Sequence, residues 1–189
     1  MSHYELELAE ASEEEEEEPM ATFEHGIICT TIIRLLGNFI AEHKLGRVVD
    51  SSVEYKFLES KEKGKGKKLS RYPDVSFIRQ ERLPLKMRSY PDIAPDLVVE
   101  VSSPYDREFE IEAKVKEYQK AGVKLVWSIH TYGRTVTVYR INNGLRGQIL
   151  AETDELDGED VIPGFKLKLN DIFDFPPEEG IEVLVGIAE

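Results

Sequence analysis

The segment Asp96–Ser102, with the sequence DLVVEVS, places carboxylates inside an apolar run that has the character of a buried strand. Successive side chains of a strand point to opposite faces, so Leu97 and the two odd-numbered valines that follow it share one face. Asp96, Glu100 and Ser102 then share the other face. Because an ionised carboxylate in an apolar sheet is costly unless it has a partner, the segment predicts a central strand with a polar site.

A second strand-like segment upstream also carries a carboxylate, Asp74 in the sequence Pro73-Asp74-Val75. If the two strands present their acids on one side, Asp74, Asp96 and Glu100 form an acidic cluster of oxygen ligands. Such ligands suit magnesium, calcium or manganese, so the cluster predicts a divalent-metal site. The alternative is that these acids lie at strand ends, in turns, or in ion pairs with Lys or Arg.

The acidic residues are concentrated at the start of the chain. Residues 1–24 hold ten of the 37 acidic residues and no Lys or Arg, so only −3 of the net charge of −13 belongs to the remainder. The run Glu13–Glu18 repels itself and cannot bury a core, which predicts a disordered acidic tail over residues 1–20. The tail is either a solvated leader or a competitor of nucleic acid for a basic surface. Residues 21–189 are predicted to form a single domain.

The chain has one cysteine, Cys29, so an intramolecular disulfide is excluded and a reducing, cytoplasmic location is expected. Cys29 lies in an apolar helical run, where a packed core thiol is expected. The four scattered histidines show no spacing typical of a zinc site. The apolar run Gly26–Ile40 contains Arg34 and is too short to span a bilayer, so no membrane association is expected.

Hydrophobic periodicity predicts two helices and a set of strands. Ala21–His43 is predicted as a helix with Thr22 as its N-cap, and Tyr105–Ala121 as a helix that ends at Gly122. The predicted strands are Arg47–Asp50, Ser52–Leu58, Arg71–Arg79, Asp96–Ser102 and a hairpin of Val123–His130 with Arg134–Ile141; the predicted loops are Glu59–Ser70 and Gln80–Pro95. This order indicates an α/β fold, with a central mixed β-sheet flanked by helices.

Lys114 lies on the side of the second predicted helix that is expected to face the core. Ile111, Val115 and Tyr118 have the spacing of a buried stripe, and Lys114 is three residues after the first and four before the last. A lysine in that position is costly unless its stem lies along the flank or its ammonium meets a carboxylate. Lys114 is therefore predicted either to point at the acidic cluster or to lie at the helix edge.

Six motifs occur in a specific order along the chain: Pro73–Phe77, Pro95–Pro104, Lys114–Tyr118, Ala121–Trp127, Arg134–Arg140 and Gly158–Phe165. This series resembles the Uma-type putative restriction endonuclease family over about residues 22–173. That family is similar in fold to the PD-(D/E)XK nucleases of the restriction-endonuclease-like superfamily. Those enzymes use an Asp on one strand, an Asp/Glu-x-Lys on the next strand, and usually magnesium. The resemblance therefore implies a restriction-endonuclease-like core.

The resemblance also implies catalytic roles for the matching residues. Asp74 resembles the first metal-binding aspartate, and Glu100 resembles the acid of the second motif. Ser102 stands where the usual superfamily pattern has lysine. The resemblance implies that the lysine function has moved to the following helix, where Lys114 is the matching residue.

Three further residues match positions around such a site. Asp96 resembles a supporting residue of the site that lies at the start of the strand. It is also counted with the expected metal ligands. Glu24 and His25, at the start of the first helix, match the place where such folds often have an auxiliary acid. His25 has the alternative of a capping or surface residue.

The activity that the resemblance implies is hydrolysis of DNA by an endonuclease that uses Mg²⁺ or Mn²⁺, as a monomer or a homodimer. The lysine-rich loop is expected either to contact phosphates, through Lys65, Lys67, Lys68 and Arg71, or only to aid solubility. The alternative is a catalytically inactive nucleic-acid-binding or interaction module with the nuclease fold. Ser102 in the lysine position favours that alternative.

Overall fold

The computed structural model describes residues 21–59, 68–83, 86–102 and 108–175. Its helices are α1 (Phe23–His43) and α2 (Glu108–Ala121). Its strands are β1 (Gly46–Asp50), β2 (Tyr55–Glu59), β3 (Lys68–Arg71), β4 (Val75–Arg79), β5 (Leu97–Ser102), β6 (Leu125–His130), β7 (Thr135–Arg140), β8 (Gln148–Leu150), β9 (Glu155–Asp157) and β10 (Lys166–Lys168). Residues 1–20, for which a disordered tail is predicted, lie outside the described residues.

Six strands form one mixed sheet in the order β1-β4-β5-β6-β7-β8. β5 and β6 are parallel, in register from Leu97 opposite Leu125 to Ser102 opposite His130. The other neighbours in this sheet are antiparallel. A parallel pair needs a long crossover connection, and α2 lies in the segment that joins β5 to β6. The predicted α/β fold, with a central mixed sheet flanked by helices, is confirmed.

The two faces of β5 pack against different helices. Leu97, Val99 and Val101 belong to the larger core, which also contains the buried stripe of α1. Val98 belongs to a smaller core with Val115 and Tyr118 of α2. Each fully buried aliphatic side chain in these cores contributes about 1.5–3 kcal/mol relative to an exposed one. The alternation predicted for the central strand is therefore the observed one, and it directs Glu100 toward α2.

The first turn of α1 is fixed by its N-cap. The hydroxyl of Thr22 accepts a hydrogen bond from the backbone N–H of His25 at 3.2 Å, as the sequence predicts. The helix ends before Lys44, which has the left-handed φ of 56° that is common after a helix. The cap fixes the position of the helical turn from which the His25 side chain extends toward the sheet. Within the described ranges, no helix has both the length and the apolar character needed to cross a membrane.

Two strand boundaries in the first half of the chain differ from the prediction. The segment Arg71–Arg79 has the pattern of one strand, but β3 ends at Arg71 and β4 begins at Val75. Pro73 lies in the break, where its missing N–H cannot contribute to a strand ladder. β3 pairs antiparallel with β2 in a separate two-stranded sheet, so part of the predicted loop Glu59–Ser70 is strand.

The second half of the chain follows the predicted order more closely. β6 and β7 form the predicted antiparallel hairpin, with Tyr132 and Gly133 at its turn. α2 is followed by Gly122, whose φ of 95° favours glycine, as predicted for the end of this helix. Near the end of the described chain, β9 and β10 pair as an antiparallel two-stranded sheet.

Candidate active site

Glu100 lies on the face of the sheet that α2 covers, and α2 supplies a hydrogen-bond donor to each of its carboxylate oxygens. Lys114 Nζ donates to Oε2 at 3.0 Å, and the Tyr118 hydroxyl donates to Oε1 at 2.5 Å. Glu100 is 8% exposed. Burial raises the pKa of Glu100; the charge of Lys114 opposes this rise and that of Asp74 adds to it. The arrangement is a buried carboxylate with one cationic and one neutral donor.

Asp74 lies directly before β4 and joins β5 to the first turn of α1. Its Oδ2 accepts a hydrogen bond from the backbone N–H of Val101 at 2.7 Å. Its Oδ1 is 3.2 Å from Nε2 of His25. Because Val101 follows Glu100 in β5, this bond holds the Asp74 carboxylate beside the Glu100 site. The two carboxylates that the sequence pairs are therefore brought together by the sheet.

Lys114 occupies the first of its two predicted positions, with its ammonium at Glu100. Val115 and Tyr118 are buried in the smaller core, and this fixes the rotation of α2 about its axis. Lys114 lies on the adjoining flank, where its side chain remains 49% exposed. The ammonium group therefore reaches the buried carboxylate from a position that solvent also contacts.

Cys29 is one helical turn after His25 and lies on the same face of α1. The Cys29 sulfur, a ring nitrogen of His25 and a carboxylate oxygen of Asp74 all lie within 4.8 Å of one another. Burial raises the pKa of Cys29 to about 12, and the charges of Asp74 and Glu100 add to this effect. The half-buried Cys29 packs against the larger core, as the sequence predicts, and its thiol also lies at the edge of the acidic site.

Asp96 is not part of this cluster, contrary to its inclusion among the expected metal ligands. It directly precedes β5, four residues from Glu100, which along a strand is about 13 Å. Its fully buried carboxylate is 2.7 Å from Arg82 Nη1 and 3.3 Å from Lys124 Nζ. Its other oxygen accepts the backbone N–H of Arg79 at 3.0 Å. Asp96 therefore has the ion-paired structural role that was the alternative prediction.

Ser102 lies on β5, two residues beyond Glu100, and its hydroxyl binds within the sheet. Its Oγ donates to the backbone carbonyl of Ile129 at 3.0 Å and is 3.3 Å from Nδ1 of His130. The other ring nitrogen of His130 is 3.2 Å from the hydroxyl of Thr137. A serine in this setting supplies no positive charge, so it cannot replace the lysine of the superfamily pattern. Lys114 is the cation that the structure brings to Glu100.

The remaining predicted site residues occupy different surroundings. Glu24 lies half-buried in the first turn of α1, and His25 rather than Glu24 contacts Asp74. Arg71, predicted to contact nucleic acid, instead donates to Glu117 of α2, with 2.8 Å from its Nε to Oε2. Lys65 and Lys67 lie outside the described residues, and Lys68 begins β3.

The carboxylates of Asp74 and Glu100 fit a hard divalent cation. Both ligands are oxygen donors, which magnesium and manganese prefer. Burial raises the pKa of Glu100, and the negative charge of Asp74 adds to that rise. A cation bound to both would offset this repulsion and the cost of burial. Asp74 and Glu100 are therefore the residues that would hold Mg²⁺ or Mn²⁺.

Sequence reasoning assigned no site role to Tyr118 or Cys29, although both contribute to the cluster. Tyr118 has the spacing of a core residue, and its ring is indeed buried, but its hydroxyl extends to Glu100. Burial and the charge of Glu100 raise the pKa of Tyr118, so the hydroxyl stays a donor. The four-residue spacing of His25 and Cys29 on α1 was the available signal for Cys29.

Comparison with known proteins adds a family and a fold. Residues 3–170 match the family Uma2, described as Putative restriction endonuclease. The crystal structure of a putative nuclease belonging to DUF820, from Anabaena variabilis ATCC 29413, is similar with a TM-score of 0.69 and 20% sequence identity. The match covers 83% of this chain and 84% of that chain, which supports the predicted restriction-endonuclease-like core. No curated protein matches the chain.

Proposed function

The chain belongs to the Uma2 family of putative restriction endonucleases, and from this premise we propose that it is a metal-dependent endonuclease that hydrolyses DNA phosphodiester bonds. One observation carries the proposal. Asp74 is hydrogen-bonded to the residue after Glu100, while Glu100 is 3.0 Å from the ammonium of Lys114. Two carboxylates, one directly before β4 and one on the neighbouring β5, with a lysine from the helix that covers them, form a set that suits phosphodiester hydrolysis with a divalent cation.

Asp74 and Glu100 would hold the divalent cation, with Mg²⁺ as the expected ion and Mn²⁺ as a substitute. Such a cation acts as a Lewis acid toward phosphoryl oxygens and lowers the pKa of a water that it binds. The hydrogen bond from Val101 fixes the orientation of Asp74, and the Tyr118 hydroxyl fixes that of Glu100. Ligands held in this way need little reorganisation when the substrate arrives.

Lys114 would stabilise the charge that develops during the reaction. In hydrolysis, a water oxygen forms a bond to phosphorus while the bond from phosphorus to the leaving sugar oxygen breaks, and that oxygen gains a proton. Negative charge increases on the phosphoryl oxygens as this happens. An ammonium group that is already placed at the site stabilises that charge without reorganisation. The half-exposed position of Lys114 makes it accessible to a bound backbone.

The lysine-rich segment would contribute to DNA binding through its charge. Lys65, Lys67 and Lys68 are close together in the sequence, and basic residues bind phosphates by releasing counterions. Arg71 is engaged by Glu117 and belongs to the scaffold in this proposal. The contacts proposed here are to phosphates, so they confer affinity but no preference for a base sequence.

The expected setting is the reducing cytoplasm, since the chain has a single cysteine and therefore needs no oxidising compartment. A homodimer remains a prediction. Sedimentation equilibrium of the purified protein, alone and with duplex DNA, would distinguish a monomer from a dimer.

Cleavage of supercoiled plasmid with Mg²⁺ or Mn²⁺ tests the proposed activity. The wild type is expected to nick the plasmid, and Asp74→Asn and Glu100→Gln are expected to lose about 100-fold or more in rate. Glu112→Gln is the matched control, because Glu112 is on the same helix face as Lys116 and pairs only loosely with it, at 3.8 Å. Nicking that persists in both site variants would contradict the proposal.

A catalytically inactive nucleic-acid-binding module is the second candidate, because Ser102 stands in the lysine position of the superfamily. Its hydroxyl is bound to a backbone carbonyl rather than held for chemistry. This candidate predicts retention of duplex or single-stranded nucleic acid, with no strand cleavage under either metal. The outcome is read from a binding assay run in parallel with the plasmid assay.

A further inference from the structure

We propose that His25, Cys29 and Asp74 form a second metal site, selective for a thiophilic divalent cation of the Zn²⁺ class, that shares Asp74 with the proposed magnesium site. The binding itself stands on the geometry of these three residues. Its consequence, inhibition of cleavage by such an ion, rests on the proposed nuclease function.

The three side chains converge from two separate elements. His25 and Cys29 are four residues apart on α1 and therefore lie on one face of the helix. Asp74 approaches them from the start of β4, with its Oδ1 3.2 Å from Nε2 of His25. One ligand atom from each residue lies within 4.8 Å of the others, and all three residues are half-buried.

These distances suit a zinc-type site after a small adjustment. Zinc bonds to N, O and S of about 2.0–2.3 Å place tetrahedral ligand atoms about 3.3–3.8 Å apart. The imidazole and carboxylate, 3.2 Å apart, are close to that separation. The thiol lies within 4.8 Å of both and so has at most about 1.5 Å to move, which a side-chain rotation can supply. Three protein ligands leave the fourth position to water, as is usual in open zinc sites.

The supporting contacts orient two of the ligands. The N-cap Thr22 fixes the turn that carries His25. The backbone N–H of Val101 holds Oδ2 of Asp74 and leaves Oδ1 directed at the imidazole. Loss of a hydrogen bond that orients a metal ligand typically costs about 10- to 100-fold in metal affinity, and the bond from Val101 to Asp74 is of this kind.

The ligand set decides which ions the site takes. A thiolate and an imidazole favour Zn²⁺ or Co²⁺, whereas Mg²⁺ prefers oxygen ligands alone. Binding converts the Cys29 thiol into a thiolate bound to the cation and releases its proton to solvent. Because Asp74 serves both sites, an ion held by Cys29 and His25 withdraws this carboxylate from the Mg²⁺ site and adds a second positive charge beside it.

Titration of the full chain with Co²⁺, monitored by absorbance, tests the site without any assay of cleavage. The chain has one cysteine, so a thiolate-to-cobalt charge-transfer band reports Cys29 alone. The band is expected at one equivalent in the wild type, to be absent in Cys29→Ser, and to need about tenfold more Co²⁺ in His25→Gln and Asp74→Asn. Zn²⁺ is expected to displace it.

Two variants serve as matched controls for this titration. His43→Gln changes a histidine at the opposite end of α1, and Glu100→Gln changes the acid that belongs only to the Mg²⁺ site. Both are expected to keep the band, and circular dichroism confirms that each variant is folded. A wild type without the band, or a band that His25→Gln and Asp74→Asn leave unchanged, would refute the site.

Inhibition is measured as the ratio of plasmid-cleavage rates with and without Zn²⁺ within each variant. We expect this ratio to fall about tenfold for the wild type and to stay near one for Cys29→Ser at the same Zn²⁺. Equal inhibition of both proteins would refute the shared use of Asp74. If the protein shows the cobalt band but cleaves no plasmid, the nuclease proposal is refuted and the metal site is supported. If it cleaves plasmid but shows no band, the metal site is refuted and the nuclease proposal is supported.

Discussion

Glu100 places a carboxyl group on a buried face of the sheet, and two donors on α2 only partly offset the cost of burying its charged form. Its pKa is raised above the ordinary value of 4.5, chiefly by burial. The folded protein therefore keeps the Glu100 proton to a higher pH than the unfolded chain does. Between 4.5 and the raised value, an increase in pH reduces the free energy of unfolding, because the folded state binds more protons there.

Glu100→Gln is expected to remove this pH dependence. In metal-free buffer, the wild type is expected to lose stability relative to the variant as pH rises above about 4.5, on the scale of 1.4 kcal/mol for each pKa unit of displacement. Urea denaturation of both proteins between about pH 4 and about pH 8 measures the difference. A difference that stays constant over this range would show that the pKa of Glu100 is unshifted.

Lys114→Met is expected to reduce the cleavage rate by about 100- to 1,000-fold with little change in KM, because the ammonium acts on charge that develops in the transition state. Lys116→Met is the matched control, since Lys116 is on the same helix and its pair with Glu112 at 3.8 Å is exposed. Steady-state kinetics of both variants on one plasmid provide the comparison. Equal losses of cleavage rate in the two variants would contradict a catalytic role for Lys114.

Arg71 shows how the small β2–β3 sheet is attached to α2. Its guanidinium binds Glu117, and both side chains are about three-quarters buried, with 26% and 29% exposed. Phe57 of β2 packs against the ring of Tyr118 at 6.3 Å between centroids. The ion pair and the ring contact together hold β2 and β3 over the helix that carries Lys114 and Tyr118.

A double-mutant cycle of Arg71→Met and Glu117→Gln is expected to give a coupling free energy of about 1 kcal/mol, at the upper end for partly exposed pairs. The cycle of Lys116→Met and Glu112→Gln is the control, and its coupling is expected to be near zero because that pair is exposed and loose. Urea denaturation supplies each free energy. A coupling free energy near zero between Arg71 and Glu117 would contradict the structural role of this pair, and Arg71 would again be a candidate for contact with DNA.

Gly46 at the start of β1 allows the close approach of β1 to β4. A Cβ at this position would lie 2.0 Å from the carbonyl oxygen of Ile78, and the φ of 154° is also unusual for other residues. Gly46→Ala is therefore expected to cost about 3 kcal/mol. Gly122→Ala has open space and only an unfavourable φ of 95°, so about 1–2 kcal/mol is expected. Similar melting temperatures for the two variants would contradict this ranking.

At the scale of the whole molecule, the charge distribution opposes DNA binding near the first residues and favours it in the lysine-rich segment. Replacing all of Glu13–Glu18 with Gln removes six of the 37 acidic residues. The variant is expected to bind duplex DNA on the order of tenfold more tightly at low salt, because the acidic run no longer competes with the phosphates for the lysine-rich segment. The gain is expected to vanish at high salt, where such charges are screened.

Fluorescence anisotropy of a labelled duplex in chelating buffer, across a series of salt concentrations, measures this effect. The same substitution combined with Lys65→Gln, Lys67→Gln and Lys68→Gln is the control, since competition for a basic surface requires those lysines. A gain that survives their loss, or one that is independent of salt, would show that the acidic run does not compete for this segment.

Local periodicity was sufficient to predict the two helices, the central strand, the hairpin after α2 and the faces of their side chains, but not the break at Pro73 or the extent of β3. The two-residue period of β5 predicts the face of Glu100, and the helical period of α2 predicts the side of Lys114. The cap at Thr22 and the glycine after α2 are likewise read from the residue types alone. These features follow from the sequence because each depends on neighbours within about one or two turns of backbone.

Only the tertiary structure decided which side chains meet. Asp74 and Asp96 have the same chemistry and similar surroundings in the sequence, yet Asp74 accepts the backbone N–H of Val101, next to Glu100, whereas Asp96 binds Arg82 and Lys124. The contact of Asp74 with His25 and Cys29 likewise joins segments that are more than 40 residues apart. The sequence by itself determined the face on which each residue lies. The pairing of β4 with β5 and the packing of α1 decided which ends of the elements adjoin, because those contacts depend on the whole sheet.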